Sequence, residues 1–194
     1  MGSEGPLVWS DNARQACYLE LWRLRQGDLS QTTSIVERLR AGADDPNPAH
    51  GRNALCALTL EVILADKTGS PEARELIQRL VGVHDEGPSR PLAIVAWSGL
   101  ELAWILEERG EVEAGARVVR YNSTPRVNPF SFAMSSVNRE AGRLNDLAGD
   151  YARALQFYRS FVLARGSADS RLSDEVESIV SRIKELEAEL DQRR

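Results

Sequence analysis

Apolar residues recur every three or four positions along most of the chain, which is the spacing of one face of an α-helix. The segments 92–106 and 154–162 show this pattern clearly, and no stretch alternates in the way that indicates a β-strand. The pattern therefore predicts an all-α fold. The expected helices are residues 10–26, 29–41, 49–67, 71–83, 91–109, 111–121, 130–148, 150–165 and 171–191.

A glycine followed by a helix-starting residue returns four times, at Gly27, Gly69, Gly110 and Gly149. These glycines are 42, 41 and 39 residues apart, a period typical of helical repeats. Each glycine suits the left-handed conformation that ends a helix, so each marks the turn of an αα-hairpin. The N-caps that we expect after the turns are Asp28, Ser70 and Asp150.

Proline and asparagine accumulate between the hairpins, at residues 42–53, 84–91 and 122–129, which we interpret as connectors. A single short hairpin cannot bury its apolar face, so neighbouring hairpins are expected to stack into an α-solenoid. We predict about four antiparallel hairpins over residues 10–166, followed by a capping or coiled-coil helix within residues 167–194. Residues 1–9 are interpreted as a flexible N-terminal segment or an expression remnant.

Residues 138–162 resemble a tetratricopeptide repeat (TPR). The matching small and large positions are Gly142, Leu144, Gly149-Asp150-Tyr151, Ala154-Leu155 and Phe157-Tyr158. Residues 99–119 resemble the repeat more loosely. In the first two hairpins, Thr32 and either Ala73 or Arg74 stand where the family has its packing alanine. The period near 40 also exceeds the family's value of about 34 residues.

The TPR resemblance implies a right-handed solenoid whose concave face binds a peptide or helix from a partner protein. Residues 143–190 are also similar to the tail of TPR modules attached to bacterial serine/threonine kinases and transcriptional regulators. This narrower similarity implies a scaffold in bacterial signalling. The leading functional hypothesis is therefore a non-catalytic protein-binding module.

The candidate partner-binding residues lie on the first helices of the third and fourth hairpins. They are Trp97, Leu100, Trp104, Glu107, Arg139, Arg143 and Asp146. Tryptophan and arginine are the residue types that dominate interface hot spots, which is why this set is chosen. The alternative is that Trp97 and Trp104 fill the core between hairpins. Trp9 and Trp22 are expected in core or terminal packing.

The last predicted helix carries an apolar stripe with alternating spacings of four and three residues. Its members include Val176, Ile179, Ile183, Leu186 and Leu190. We expect the stripe to cap the last hairpin, and the alternative is a coiled-coil homodimer. An oligomerisation module and a small-ligand sensor are the competing functional hypotheses.

The net charge of −5, from 24 basic and 29 acidic residues, includes no basic block that could neutralise a phosphate backbone. Nucleic acid is therefore not an expected partner. No apolar run reaches the roughly 18 residues that span a bilayer, and the start of the chain lacks a signal-peptide pattern. We predict no membrane insertion and a cytoplasmic location, with an excised extracytoplasmic domain as the alternative.

The residues that carry chemistry in other proteins are sparse in this chain. Cys17 and Cys56 are 39 residues apart in apolar helical stretches, and we interpret both as buried hydrophobic residues without a disulfide. His50 and His84 fall in predicted connectors, away from any pattern of metal ligands or catalytic partners. We predict a protein without enzymatic activity, metal or cofactor.

Overall fold

The computed structural model describes residue 7 and residues 11–43, 45–86, 93–119, 131–165 and 173–192. These ranges contain nine α-helices and no strand, which confirms the all-α prediction. The helices are α1 (Asp11–Arg25), α2 (Thr32–Ala41), α3 (Arg52–Thr68), α4 (Ala73–Glu86), α5 (Ala93–Glu108), α6 (Val112–Val118), α7 (Ser131–Leu147), α8 (Tyr151–Arg165) and α9 (Ser173–Gln192).

The four predicted turn glycines have positive φ angles, as their place in the sequence indicates. The values are 82° at Gly27, 66° at Gly69, 79° at Gly110 and 75° at Gly149. Any L-residue would be strained in this left-handed region, and glycine is not. In the described part of the chain these glycines therefore fix the ends of α1, α3, α5 and α7.

Two of the predicted N-cap residues, Asp150 and Asp28, accept different hydrogen bonds. Asp150 accepts a hydrogen bond from the backbone N–H of Arg153 (3.1 Å), and α8 begins at the next residue. Asp28 instead accepts hydrogen bonds from the backbone N–H and the hydroxyl of Ser30, at 3.1 and 2.6 Å. This local turn delays α2, which begins at Thr32 rather than at the predicted residue 29.

The contacts divide the chain into two compact units, Met1–Ile105 and Leu106–Arg194. The predicted repeat domain 10–166 spans both. In the first unit α1, α2, α3 and α4 pack around a core that includes Leu24, Leu39, Leu60 and Leu80, each fully buried. Thr32 and Ala73 are the buried residues at the two positions where the family has its alanine, and Arg74 is exposed.

A disulfide joins Cys17 of α1 to Cys56 of α3, with both residues fully buried. The prediction of two separate buried thiols is therefore wrong. Each cysteine does lie on an apolar face, but packing of α1 against α3 brings their Cα atoms to 6.3 Å, within disulfide reach. The bond closes a loop between residues 39 positions apart, which includes all of α2.

In the second unit α7 and α8 form a closely packed antiparallel hairpin, with α6 against α7 and α9 against α8. Gly142 of α7 lies under the ring of Tyr158 in α8. A Cβ atom added at Gly142 would come within 2.4 Å of that ring. The hairpin therefore needs glycine at this position.

His84 lies in α4 and not in the connector where the sequence placed it. Its side chain is buried, with 6% exposure, and its Nε2 atom is 3.1 Å from the Ser98 hydroxyl of α5. Burial of this polar contact explains why α4 continues three residues beyond the predicted end. Within the described ranges, none of the helices is long and apolar enough to cross a membrane.

Candidate interaction surfaces

In the first unit, the guanidinium group of an arginine lies close to the rings of two tryptophans. Arg25 is the last residue of α1, and its guanidinium carbon is 4.2 Å from the ring centroid of Trp104 and 5.8 Å from that of Trp97. Both distances are in the range of cation–π attraction. Trp97, Glu101 and Trp104 share one face of α5, because they are spaced by four and three residues.

A buried carboxylate fixes the position of Arg25. The Nε atom of Arg25 donates to the Oε1 atom of Glu101 at 2.8 Å, and Glu101 is only 7% exposed. Burial raises the pKa of Glu101, and the positive charges of Arg25 and Lys67 oppose that rise. The guanidinium is thus anchored by its acidic partner, while 38% of the Arg25 side chain stays exposed above the indole rings.

Trp22 extends this surface along α1. It precedes Arg25 by one helical turn, and 58% of it is exposed. Core packing, one of the two alternatives predicted for Trp22, is therefore wrong, because α1 turns Cys17, Leu21 and Leu24 inward and leaves Trp22 outside. We call the set Trp22, Arg25, Trp97 and Trp104 the aromatic–arginine surface.

Leu100, one of the predicted partner-binding residues, is 2% exposed and belongs to the core. A partner would meet the Arg25 guanidinium beside the tryptophans, because Leu100 and Glu101 are both buried. The sequence pattern missed both members of this ion pair. Glu101 could have been identified from its position between Trp97 and Trp104 on one face of a helix. Arg25 could not, because it is 76 residues away in the sequence and no neighbouring residue indicates its partner.

In the second unit two of the predicted binding residues, Glu107 and Arg143, are joined to each other. Arg143 donates from Nη1 to Glu107 (2.7 Å) and from Nε to Glu140 (2.8 Å). The hydrogen bonds to Arg143 lower the pKa of Glu107, and the two carboxylates raise the pKa of Arg143. This arginine therefore bridges two helices, α5 and α7, within its own unit.

The other two predicted residues on α7 hold α9. Arg139 forms an ion pair with Glu175, and Asp146 accepts two hydrogen bonds from Arg182, each of 2.8 Å. The Tyr158 hydroxyl also donates to Asp146 at 3.4 Å. Burial, together with the Asp146 charge, raises the pKa of Tyr158 to about 12. These side chains serve packing inside the second unit.

The apolar stripe of α9 lies against α8. Leu186 is fully buried in a cluster with Ala154, Leu155 and Tyr158, and the residues packed against that cluster include Ile179, Ile183 and Leu190. Val176 is partly buried. These contacts are those expected of a helix that covers the last hairpin.

A chain of buried polar groups crosses the core of the first unit. The Ser98 hydroxyl lies 3.1 Å from His84 Nε2 and 2.7 Å from the Thr59 hydroxyl, which donates to the Leu55 carbonyl at 2.8 Å. Desolvation lowers the pKa of His84 to about 4, although Asp85 opposes the shift. Ser98 is fully buried, so this serine–histidine contact is inaccessible to a substrate and joins α3, α4 and α5.

In the described ranges no group of three or more His, Cys, Asp or Glu side chains is placed to hold a metal ion. No protein-family model, no curated protein and no solved structure matches this chain.

Proposed function

We propose that the protein is a non-catalytic interaction module that binds a segment of a partner protein at the aromatic–arginine surface of its first unit. The observation that carries this proposal is the exposed Arg25 guanidinium, held over two tryptophans by a buried glutamate. Tryptophan and arginine contribute most to interface energies when they are exposed before binding and desolvated afterwards. A positioned guanidinium also loses little freedom when a partner binds.

The choice between the predicted residues follows from their contacts. Glu107, Arg139, Arg143 and Asp146 form ion pairs within the second unit, as Arg25 does with Glu101 in the first, but Arg25 also lies over two tryptophan rings. Trp97 and Trp104 retain partial exposure, and Trp22 is largely exposed. The proposal therefore keeps the two tryptophans of the predicted groove, adds Trp22 and Arg25, and assigns the second unit's charges to packing.

A right-handed TPR-like solenoid with a role in bacterial signalling is the architecture and setting that we propose for this module. Two observations support it: the left-handed glycine turns at intervals near 40 residues, and the contact between Gly142 and Tyr158 at positions that match the repeat. An oligomerisation module acting through α9 would need the apolar stripe that already packs against α8. Light scattering tests that alternative, and we expect a monomer because the stripe packs on α8.

The disulfide is the basis for the cellular compartment that we propose for this protein. Structural disulfides persist in oxidising compartments and are rare in the cytosol of most cells. The bond between Cys17 and Cys56 therefore favours an oxidising compartment over the cytoplasm expected from the sequence.

Affinity purification from the native source tests the binding surface. The intact chain would be compared with Trp22→Ala/Trp104→Ala, and the matched control is Leu163→Ala, which removes a leucine that is 73% exposed in the second unit. We expect a protein that is recovered with the intact chain and the control but not with the double variant. Equal recovery with all three, at unchanged helicity by circular dichroism, would exclude this surface.

A further inference from the structure

The disulfide of the first unit lies on the helix that carries half of the aromatic–arginine surface. Cys17 precedes Arg25 by eight residues in α1, which is about 12 Å along the helix axis. Trp22 lies between them and belongs to the surface. The other two members, Trp97 and Trp104, lie on α5. The surface therefore forms only when α1 is correctly placed relative to α5.

Helix α3 connects α1 to α5 through two side chains in adjacent turns. Cys56 of α3 forms the disulfide with Cys17, and Thr59, one turn later, lies 2.7 Å from the Ser98 hydroxyl of α5. These four residues are fully buried, and Ser98 directly follows Trp97 in the sequence. The bond that places α1 on α3 therefore also places α1 relative to α5.

The direct contact between α1 and α5 is weaker than this buried connection. Arg25 contacts Glu101 and the two indole rings of α5, and 38% of the Arg25 side chain is exposed. Partly exposed ion pairs and cation–π contacts contribute little to stability. This contact orients the guanidinium, but it is too weak to fix the position of the whole helix.

The remaining contacts of α1 hold the helix without fixing its rotation. Leu21 and Leu24 are buried, and apolar contacts are non-directional. Glu20 is buried on the same helix, and its Oε1 atom accepts a hydrogen bond from the Thr32 hydroxyl (2.6 Å). Its Oε2 atom lies 3.7 Å from Arg23 Nη1 and has no hydrogen-bond partner among the described residues. A rotation of α1 that exposed this oxygen to water would be favourable, and the disulfide opposes it.

We propose that the disulfide between Cys17 and Cys56 is required to form the partner-binding site, so that the chain binds its partner only after oxidation. This inference rests on the proposed function of the aromatic–arginine surface. In the oxidation, the two cysteine thiols give two electrons and two protons to an external disulfide, which is released as two thiols. Both cysteines are fully buried in the product, which protects the bond from attack by a thiolate. The site therefore forms in an oxidising compartment and persists there.

Nuclear magnetic resonance of the intact chain tests the proposal without a partner. The Arg25 Nε–H signal, assigned by its loss in Arg25→Lys, should be displaced by the ring currents of Trp97 and Trp104 in the oxidised wild type. In Cys17→Ala/Cys56→Ala, and in the wild type refolded with a dithiol reductant, we expect the signal at the position of an exposed arginine. Circular dichroism should show unchanged helicity in both forms.

Leu80→Val is the matched control for a general loss of stability. It removes one methylene group from the core of the first unit, in α4, and leaves the disulfide intact. We expect its Arg25 signal to match that of the oxidised wild type. An unchanged signal without the disulfide, or an equal displacement in Leu80→Val, would overturn the proposal. So would a loss of helicity in both forms without the disulfide, because the bond would then support the whole unit and not the surface.

Affinity purification under oxidising conditions separates this inference from the proposed function. We expect a protein that is recovered with the intact chain but not with Cys17→Ala/Cys56→Ala. Equal recovery with the cysteine variant would overturn the requirement for the disulfide, while its loss with Trp22→Ala/Trp104→Ala would still support the proposed surface. Recovery that persists with the tryptophan variant would instead overturn the proposed surface, whatever the Arg25 signal shows.

Discussion

The two units use arginine in different ways. In the first, Arg25 has one carboxylate partner below it and two indole rings beside it, and part of the guanidinium faces solvent. In the second, Arg143 and Arg182 each bridge two or more carboxylates. Arginines join helices in both units, but Arg25 of the first unit also lies over two indole rings, whereas Arg143 and Arg182 of the second are held by carboxylates.

The units also differ in what joins their helices. The first has a disulfide and a buried line of hydroxyl and imidazole groups, whereas in the second the charged side chains of α7 and α9 form ion pairs. A covalent bond responds to reductant and a buried histidine to acid, but ion pairs near the surface respond to salt. Each kind of contact can therefore be removed selectively.

Reduction of the disulfide is expected to have the largest effect. Opening the loop between Cys17 and Cys56 should lower the free energy of unfolding by about 4 kcal/mol, from the chain entropy regained by the unfolded state. Urea unfolding followed by circular dichroism, with and without reductant, measures the change. The Cys17→Ala/Cys56→Ala variant is the control and should not respond to reductant. A wild-type chain that is equally stable in both conditions would contradict the structural role of this bond.

Acid is expected to weaken the first unit through His84. Its folded-state pKa, about 4, lies below the ordinary value of 6.5, so the unfolded chain binds more protons between these values. The contribution of His84 is therefore fully present above pH 6.5 and is lost by up to about 3 kcal/mol as the pH falls to 4. Urea unfolding at pH 7 and 4.5 should show a smaller pH effect in His84→Gln than in the wild type. His50→Gln, which changes an exposed histidine, should leave the effect intact.

Two of the glycines inside helices, Gly82 of α4 and Gly142 of α7, differ in how closely they are packed. Gly142→Ala would push a methyl group into the Tyr158 ring and should destabilise the protein by about 1–3 kcal/mol. Gly82→Ala meets open space and should stabilise α4 by about 0.5–1 kcal/mol. Thermal unfolding of both variants tests the contrast. Effects of the same sign would show that one of these glycines is packed differently from the structure.

The smallest expected effect concerns the ion pairs of α9. Arg182→Ala removes the bidentate contact with Asp146 and should lower stability by about 1 kcal/mol at low ionic strength. The difference in stability between Arg182→Ala and the wild type should be smaller in 0.5 M NaCl, because salt screens the ion pair between Arg182 and Asp146 in the wild type. Lys184→Ala, an exposed change on the same helix, is the control. A loss independent of salt would indicate that Arg182 acts through packing and not through charge.

Local features of the sequence predicted the helices well, because their signals lie within a few residues of each boundary. Gly27, Gly69, Gly110 and Gly149 have the predicted left-handed conformation, and Asp150 caps α8. The disulfide could not be predicted in this way. It depends on how α1 packs against α3, and neither cysteine carries a local sign of the other.

The candidate site was predicted only in part for the same reason. Trp97 and Trp104 share the expected face of α5, but their main contact, Arg25, comes from another helix. Leu100 was assigned to the surface by extending the register of the fourth hairpin to the third, and the structure buries it. Charge alone could not separate an arginine that lies over indole rings, such as Arg25, from one that bridges two carboxylates, such as Arg143.

The loop closed by Cys17 and Cys56 has a consequence for proteolysis. The connector between α2 and α3 lies inside it, so a protease that cuts there yields two fragments that remain covalently attached. Such a nicked protein would migrate as one species on a denaturing gel without reductant and as two species with it. The polypeptide could therefore be cut between α2 and α3 while α1 stays covalently attached to α3.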